Sequence, residues 1–248
     1  MPYPRSLIDD LVQRAEVSGE GRLLDLACGT GQISFALHRR FGQVLAVDQE
    51  PDMVAFAASK AEAAGIGNIR FQAGAAEDLD APDMSFDLVA IGNAYHRLPR
   101  QAVAGRVMRW LRPGRFLALV WGGGPTDGQA PWQQAMAATM QRWRTRAHVG
   151  DRVPSAYEQD RRDRPDREIL RDAGFQVLGR RAFPAVHEWS IEALIGFLYS
   201  TSVFSRAGLG DCAPALEDDL RRELGASEPG TVFRQETEFA YELARRPA

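Results

Sequence analysis

Leu23-Leu24-Asp25-Leu26-Ala27-Cys28-Gly29-Thr30-Gly31-Gln32-Ile33 is the stretch that decides the fold of this chain. Leu23, Leu24, Leu26 and Ala27 form a nearly unbroken apolar run, the pattern of a strand covered on both faces of a parallel sheet. Gly29 and Gly31 follow, where the absence of a Cβ lets the backbone turn tightly and approach a ligand closely. From Gln32 onward, Ile33, Ala36, Leu37 and Phe41 recur at helical spacing, so the turn opens into a helix whose first N–H groups face the ligand side. Strand, glycine turn and helix in this order predict a nucleotide-binding unit.

Two residues narrow the choice of nucleotide. Ser34 stands where a dinucleotide fingerprint requires its third glycine. Asp25 would repel the pyrophosphate that a helix N-terminus attracts, whereas a cationic ligand gains from an acid at the strand's end.

Strand and helix signals continue to alternate outward from this stretch, which predicts a doubly wound α/β sheet. An amphipathic helix over residues 6–17 precedes it, with Leu7, Ile8, Leu11, Val12 and Ala15 on one side. Val44-Leu45-Ala46-Val47 reads as the second strand and ends at Asp48, 23 residues after Asp25; Pro51 then suits a first helical turn. At the carboxyl end of that strand Asp48 is placed to accept both hydroxyls of a ribose, or else to offset a helix dipole, with Gln49 and Met53 flanking the adenosine. Further strands are expected at residues 69–72, 86–91, 116–121, 175–178 and 237–243, with a helix ending before Pro113-Gly114 and another over residues 166–173.

The alternation breaks twice. Residues 122–165 contain a helical stretch from Pro131, with Met136, Met140 and Trp143 on one side, and residues 183–230 contain an apolar helix and a charged one. Long inserts in a compact domain carry function more often than not, and these two are expected to form a helical substrate cap on a single domain spanning residues 1–248.

Composition is that of an ordinary globular protein, with 45% hydrophobic and 25% charged residues. A net charge of -3 offers no electrostatic footprint for nucleic acid or an anionic membrane. The chain is nearly free of lysine, Lys60 being the single one among 30 basic residues, and the arginine-dense stretch over residues 142–171 is interleaved with Asp151, Glu158, Asp160, Asp163, Asp166 and Glu168. Cys28 and Cys212 are too few for a disulfide framework and form no metal-binding pattern, so no metal is expected. With no apolar core at the N-terminus and no long apolar stretch, the sequence reads as cytoplasmic. Oligomeric state is left open.

The sequence Asp25-x-Ala27-x-Gly29-x-Gly31 resembles the first motif of the class I S-adenosylmethionine-dependent methyltransferases, in particular the UbiE-like small-molecule group, with Ala27 where that motif has a further glycine. The methyl donor carries a sulfonium and an ammonium, which suits Asp25. Gly74-Ala75-Ala76-Glu77-Asp78-Leu79 and Asp83-x-Ser85-Phe86-Asp87-Leu88-Val89 resemble two further segments of the family, as do Asn93-Ala94-Tyr95-His96 and Leu111-Arg112-Pro113-Gly114. Tyr3-Pro4 resembles a pair that closes over the methionine part of the cofactor. The resemblance implies a Rossmann-like seven-stranded sheet, mostly parallel with the last strand antiparallel. It also implies a cofactor site made of Tyr3, Asp25, Ala27, Gly29, Gly31, Asp48, Gln49, Met53, Ala76, Glu77 and Asn93.

Methyl transfer from a sulfonium mainly requires positioning of the acceptor and exclusion of water, and needs a base only where the acceptor must lose a proton. His96, beyond the fourth strand, is the first candidate base and His187 the second. Tyr95, His96, Trp121 and Trp132 are candidates to line the acceptor site, with core packing the alternative for the aromatic residues. The stretch after the fourth strand lacks the Asn-Pro-Pro-Tyr sequence of amine methylation in DNA and proteins. The expected activity is therefore methylation of an oxygen or nitrogen on a small-molecule metabolite, secondary metabolites included. The rivals are a protein of this fold that binds the cofactor while catalysing a cyclisation or rearrangement, a vestigial binding protein, and, last, a dinucleotide-dependent oxidoreductase.

Overall fold

A computed structural model of the chain describes residues 2–149, 163–201, 203–204, 206–228 and 230–248. Of the arginine-dense stretch, residues 150–162, with Asp151, Glu158 and Asp160, lie outside these. By their internal contacts the described residues divide into two units: residues 2–121, 163–183 and 239–248 in the first, and residues 122–149 and 184–238 in the second.

The first unit is organised by strands β1 (Arg22–Leu26), β2 (Gln43–Asp48), β3 (Ile69–Ala73), β4 (Phe86–Gly92) and β5 (Leu111–Gly122). With β6 (Gln176–Ser190) and β7 (Val232–Arg245) they make a seven-stranded sheet of order β3-β2-β1-β4-β5-β7-β6. Strands β1 to β5 pair in parallel and β7 runs antiparallel. The apolar runs of the central strands arise because both faces are covered. Leu24 and Leu26 of β1, Val89 and Ile91 of β4, and Leu117 and Leu119 of β5 pack in one cluster. That cluster takes in Val103, Val107 and Trp110 of α4 (Arg100–Trp110) and Ile169 and Leu170 of α6 (Asp166–Asp172). The alternate residues Leu23, Leu88, Ala90, Phe116 and Ala118 point to the opposite face and are equally buried. Asp25 belongs to this second set, which is why it meets α2 (Gln32–Leu37).

Several element boundaries differ from the expected ones. The first helix, α1 (Arg5–Arg14), stops short of residue 17 because Glu16 takes a left-handed conformation at φ 50°. Strand β5 starts at Leu111, directly after α4, and absorbs Pro113-Gly114 in an irregularity: Phe86 faces Leu111, but Leu88 already faces Phe116. Strands β6 and β7 are far longer than the expected segments at 175–178 and 237–243, so β6 is still running where the second insert was expected to begin. Helix α3 (Pro51–Ala63) opens on its proline as anticipated.

The second unit holds α5 (Pro131–Arg146), α7 (Ile191–Tyr199), a single turn at Arg206–Leu209, and α8 (Ala213–Ser227). Leu216, Leu220 and Leu224, four apart on α8, form a stripe that packs with Trp132, Met136 and Trp143 of α5 and with Leu194, Ile195 and Leu198 of α7. Trp143 Nε1 donates to Asp219 over 2.7 Å. Gln235, 2% exposed, accepts from Trp189 Nε1 at 2.8 Å and donates to the Gly124 carbonyl at 2.7 Å. Replacing Gln235 by leucine strands a buried indole N–H and a carbonyl. The expected cost is about 2 kcal/mol, read as a lower midpoint of urea denaturation at unchanged slope.

Candidate functional site

The glycine turn is held by acids from two neighbouring strands. Cys28 N–H donates to the Val47 carbonyl at 2.9 Å, tying the turn to the end of β2. The Asp48 carboxylate then accepts from Gly29 N–H at 2.7 Å through Oδ2 and from Glu50 N–H at 2.9 Å through Oδ1, so it staples the turn to the start of α3. Each oxygen keeps lone pairs for further donors.

Asp25 is 1% exposed, and its Oδ2 accepts from both the backbone N–H (2.9 Å) and the hydroxyl (2.6 Å) of Ser34 in the first turns of α2. It therefore satisfies one of the unpaired N–H groups at that helix start while remaining a buried acid. Burial pushes its carboxyl up to about 6, with the Ser34 hydrogen bonds opposing and Asp48 adding to the rise. Burial and the charges of Asp25 and Asp48 likewise push up the Cys28 thiol between them. Two carboxylates thus give the turn a negative potential, and among the described residues neither forms an ion pair.

Sequence reasoning singled out both acids but missed Ser34 as a partner, reading it only as an absent glycine. The available signal was a hydroxyl in the first helical turn behind a strand-end acid of the matching face.

Three residues of the turn have left-handed backbones: Ala27 at φ 57°, Gly29 at φ 53° and Gly31 at φ 79°. A Cβ on Gly29 would meet nothing within 4 Å, whereas one on Gly31 would lie 2.9 Å from the Phe35 ring. Open space therefore lies before Gly29, the side on which a ligand backbone contact is possible. Lys60 Nζ stands 4.7 Å from the centroid of the same Phe35 ring. Ala27 pays for a conformation that glycine adopts freely. Ala27→Gly is expected to stabilise the protein by about 0.5 kcal/mol, the relief of strain exceeding the added chain entropy, and thermal unfolding would show a melting temperature raised by a degree or two.

Tyr3 lies against the end of β4: its hydroxyl would be 2.6 Å from a Cβ on Gly92, and burial and then Asp25 raise its pKa well above the ordinary tyrosine range. Gln49 is exposed and Met53 half-buried at the start of α3. Ala76 is buried in the first unit's core while Glu77 is exposed, which leaves only the backbone of Ala76 to offer a ligand. Asn93 is exposed at φ 51°, its N–H donating to the Val120 carbonyl at 2.8 Å.

The residues expected to line an acceptor are dispersed differently. His96 is half-buried on the short turn Tyr95–Arg97 that follows β4. Tyr95 is not open to a ligand: it is 4% exposed in the core, and its hydroxyl donates to the Arg100 carbonyl at 2.9 Å. Trp132 is likewise taken up by packing, 1% exposed with its ring 5.6 Å from that of Phe233. Both rings follow the packing alternative because a large aromatic surface is best removed from water by a core. Trp121 packs against the first unit's core and borders a cavity of that unit. His187, in the second unit, sits edge-on to Trp189 at 4.5 Å, and burial lowers its basicity, so its imidazole is neutral near pH 7.

Residues 23–114 match the family described as a methyltransferase domain. Over those residues the chain is similar to a methyltransferase domain. Among relatives of this domain, an uncharacterized methyltransferase of Bacillus subtilis, YcgJ, is 37% identical over 111 residues, 43% of this chain and 43% of that protein. The chain thus spans less than half the length of that relative. A solved structure of a Bacillus halodurans protein described as a methyltransferase shares the fold across 98% of this chain and 100% of that one, with a TM-score of 0.58 at 22% identity. The cyclase SpnF, a catalyst of 4+2 cyclisation, shares it across 98% and 82%, with a TM-score of 0.57 at 20% identity.

This donor set fits S-adenosylmethionine: a buried acid at Asp25 with no ion pair among the described residues, an acid with spare lone pairs at Asp48, and open space before Gly29. Among the described residues no cluster of ligating side chains suits a metal ion, and no helix is long and apolar enough to cross a membrane.

Proposed function

We propose that this chain transfers the methyl group of S-adenosylmethionine to an oxygen or nitrogen of a small-molecule acceptor. The observation that carries the reading is the pair of acids around the open turn, Asp48 bonded to Gly29 N–H and the buried Asp25 bonded to Ser34 at the start of α2. When bound, the donor supplies a methyl group on a sulfonium, and an acceptor lone pair displaces S-adenosylhomocysteine from it. Asp25 balances the cationic end of the donor from inside the strand. Asp48 orients the ribose through its free lone pairs, and the backbone at Ala27, Gly29 and Gly31 lies against the amino-acid part. Gln49, Met53, Ala76 and Glu77 border the adenine, while Tyr3 and Asn93 close the methionine side.

Where the acceptor must lose a proton, His96 holds it at an imidazole nitrogen, and His187, kept neutral by burial, is the second choice. Residues 122–165 and 183–230 form the acceptor's cap, which excludes water from the transferring methyl group. The net charge of -3 and the sequence Gly92-Asn93-Ala94-Tyr95 after β4 favour a metabolite over nucleic acid. Two free cysteines, Cys28 and Cys212, suit a reducing cytoplasmic setting.

Incubation with methyl-labelled S-adenosylmethionine and a panel of metabolites, with ribosomal and transfer RNA as further arms, tests the reading. Labelled small-molecule product with equimolar S-adenosylhomocysteine is the expected result. The likeness to SpnF favours one second reading, in which the bound donor stays intact while a substrate cyclises or rearranges. An altered substrate of unchanged mass with no release of S-adenosylhomocysteine would establish that alternative.

A further inference from the structure

Strands β6 and β7 are neighbours in the sheet, and two contacts fix their register. The Phe183 ring stacks on that of Tyr241 at 5.9 Å, and Trp189 Nε1 donates to Gln235 at 2.8 Å. The second contact lies six residues further along β6 and six residues back along β7, the spacing of an unbroken antiparallel pair. His187 and Thr237, each two residues from that second contact and on its face, therefore stand opposite each other with Cβ atoms about 5 Å apart.

That face is closed at one end and open at the other. Trp189 and Gln235 are each 2% exposed and Phe233 is fully buried, whereas His187 and Thr237 are half-buried. The His187 imidazole rests edge-on against Trp189 at 4.5 Å, and among the described residues neither it nor the Thr237 hydroxyl has a hydrogen-bond partner. Gly123 lies against that hydroxyl: a Cβ there would be 2.6 Å from Thr237 Oγ1 and 3.5 Å from Asp127, whose carboxylate accepts from Gly124 N–H at 2.6 Å. Phe197 adds a second ring, 5.8 Å from that of Trp189.

A neutral imidazole offers one N–H and one bare nitrogen, and a hydroxyl both donates and accepts. One ligand O–H satisfies both side chains, its oxygen accepting from Thr237 while its proton bonds the bare nitrogen of His187. An ammonium only donates and leaves the Thr237 proton without an acceptor, and an anionic head group is repelled by Asp127. We propose that His187 and Thr237 together bind the hydroxyl group of the acceptor, which is a neutral alcohol or phenol. As a statement about the acceptor this rests on the proposed methyl transfer, but the binding itself needs no methyl donor.

Phenol, benzylamine and benzoate carry three head groups on one ring and serve as probes, titrated into the intact protein and followed by ligand-observed NMR. Phenol should bind saturably and more tightly than the other two. Thr237→Val, which keeps the shape and removes the hydroxyl, should weaken phenol about fivefold, and His187→Phe about tenfold. Thr237→Ser should return the affinity to within about twofold of the parent, a rescue that a merely structural role would not give. Gly123→Ala, which displaces the hydroxyl without removing it, should match Thr237→Val. Absence of saturable phenol binding would overturn the proposal, as would tighter binding of benzylamine or benzoate, or an unchanged affinity in Thr237→Val. Phenol binding with no labelled product from any acceptor would leave the subsite standing and remove methyl transfer, whereas a labelled amine with no phenol binding would do the reverse.

Discussion

Replacing Asp25 by asparagine is expected to weaken binding of S-adenosylmethionine about a hundredfold at pH 8, while making the free protein more stable. Both effects have one cause. The carboxyl of Asp25 is raised from its ordinary 3.8 to about 6 by burial, so the free fold prefers it protonated. The stabilisation contributed by this proton is fully present below about pH 4 and is lost as pH rises through 6. At pH 8 the protein carries a buried charge whose cost is on the order of 3 kcal/mol. Asparagine keeps an oxygen for the Ser34 N–H and hydroxyl and carries no charge. Its melting temperature at pH 8 should therefore rise by several degrees.

The cations of the methyl donor reverse the preference. They favour the ionised carboxyl, so donor affinity in the unaltered protein should climb as pH rises through about 6 and level off above it. Calorimetric titration from pH 5 to pH 8 checks this, and the asparagine variant should show no such step. A flat profile in the unaltered protein would remove Asp25 from the cation's environment.

Asp48→Ala is expected to weaken donor binding about fiftyfold and, in contrast to Asp25→Asn, to lower the melting temperature. Two backbone N–H groups, those of Gly29 and Glu50, lose a charged acceptor, and the glycine turn loses its link to the start of α3. Charge-assisted bonds of this kind contribute about 1 to 2 kcal/mol each, and half-exposure lets water recover part of that. The net loss of stability should be about 2 kcal/mol. Asp48→Asn retains one acceptor oxygen and should fall between the two, nearer the parent in stability than in affinity. Thermal unfolding with and without donor separates the two contributions, because only the liganded increment reports the ribose. Equal increments in the parent and in Asp48→Ala would show that Asp48 acts on the turn alone.

The parts of this architecture legible in the sequence are those where burial writes itself into the residues. Strands β1 and β4 are covered on both faces, and their runs from Leu23 and from Phe86 are correspondingly apolar. Strand β6 is the last in the sheet, with Arg180, Arg181, Val186 and Glu188 exposed, so it lacks the unbroken apolar run that marks a strand covered on both faces. The site shows the same division. Asp25, Gly29, Gly31 and Asp48 stand out because their residue types are unusual at a strand end or a turn. Ser34 does not, since its role depends on which face of β1 presents Asp25 and on how α2 docks there. Tyr95 and Trp132 were ambiguous in kind: an aromatic residue serves a core or a ligand equally well, and only tertiary packing assigns it.

The scarcity of lysine has a practical side. Lys60 is the single lysine of the chain, it is exposed, and its ammonium rests on the Phe35 ring that lies against Gly31. An amine-directed fluorophore, applied after the terminal amine has been chemically blocked, would attach at one known point, a ring's width from the glycine turn. Such a label would report arrival and departure of a nucleotide in real time without any engineered cysteine.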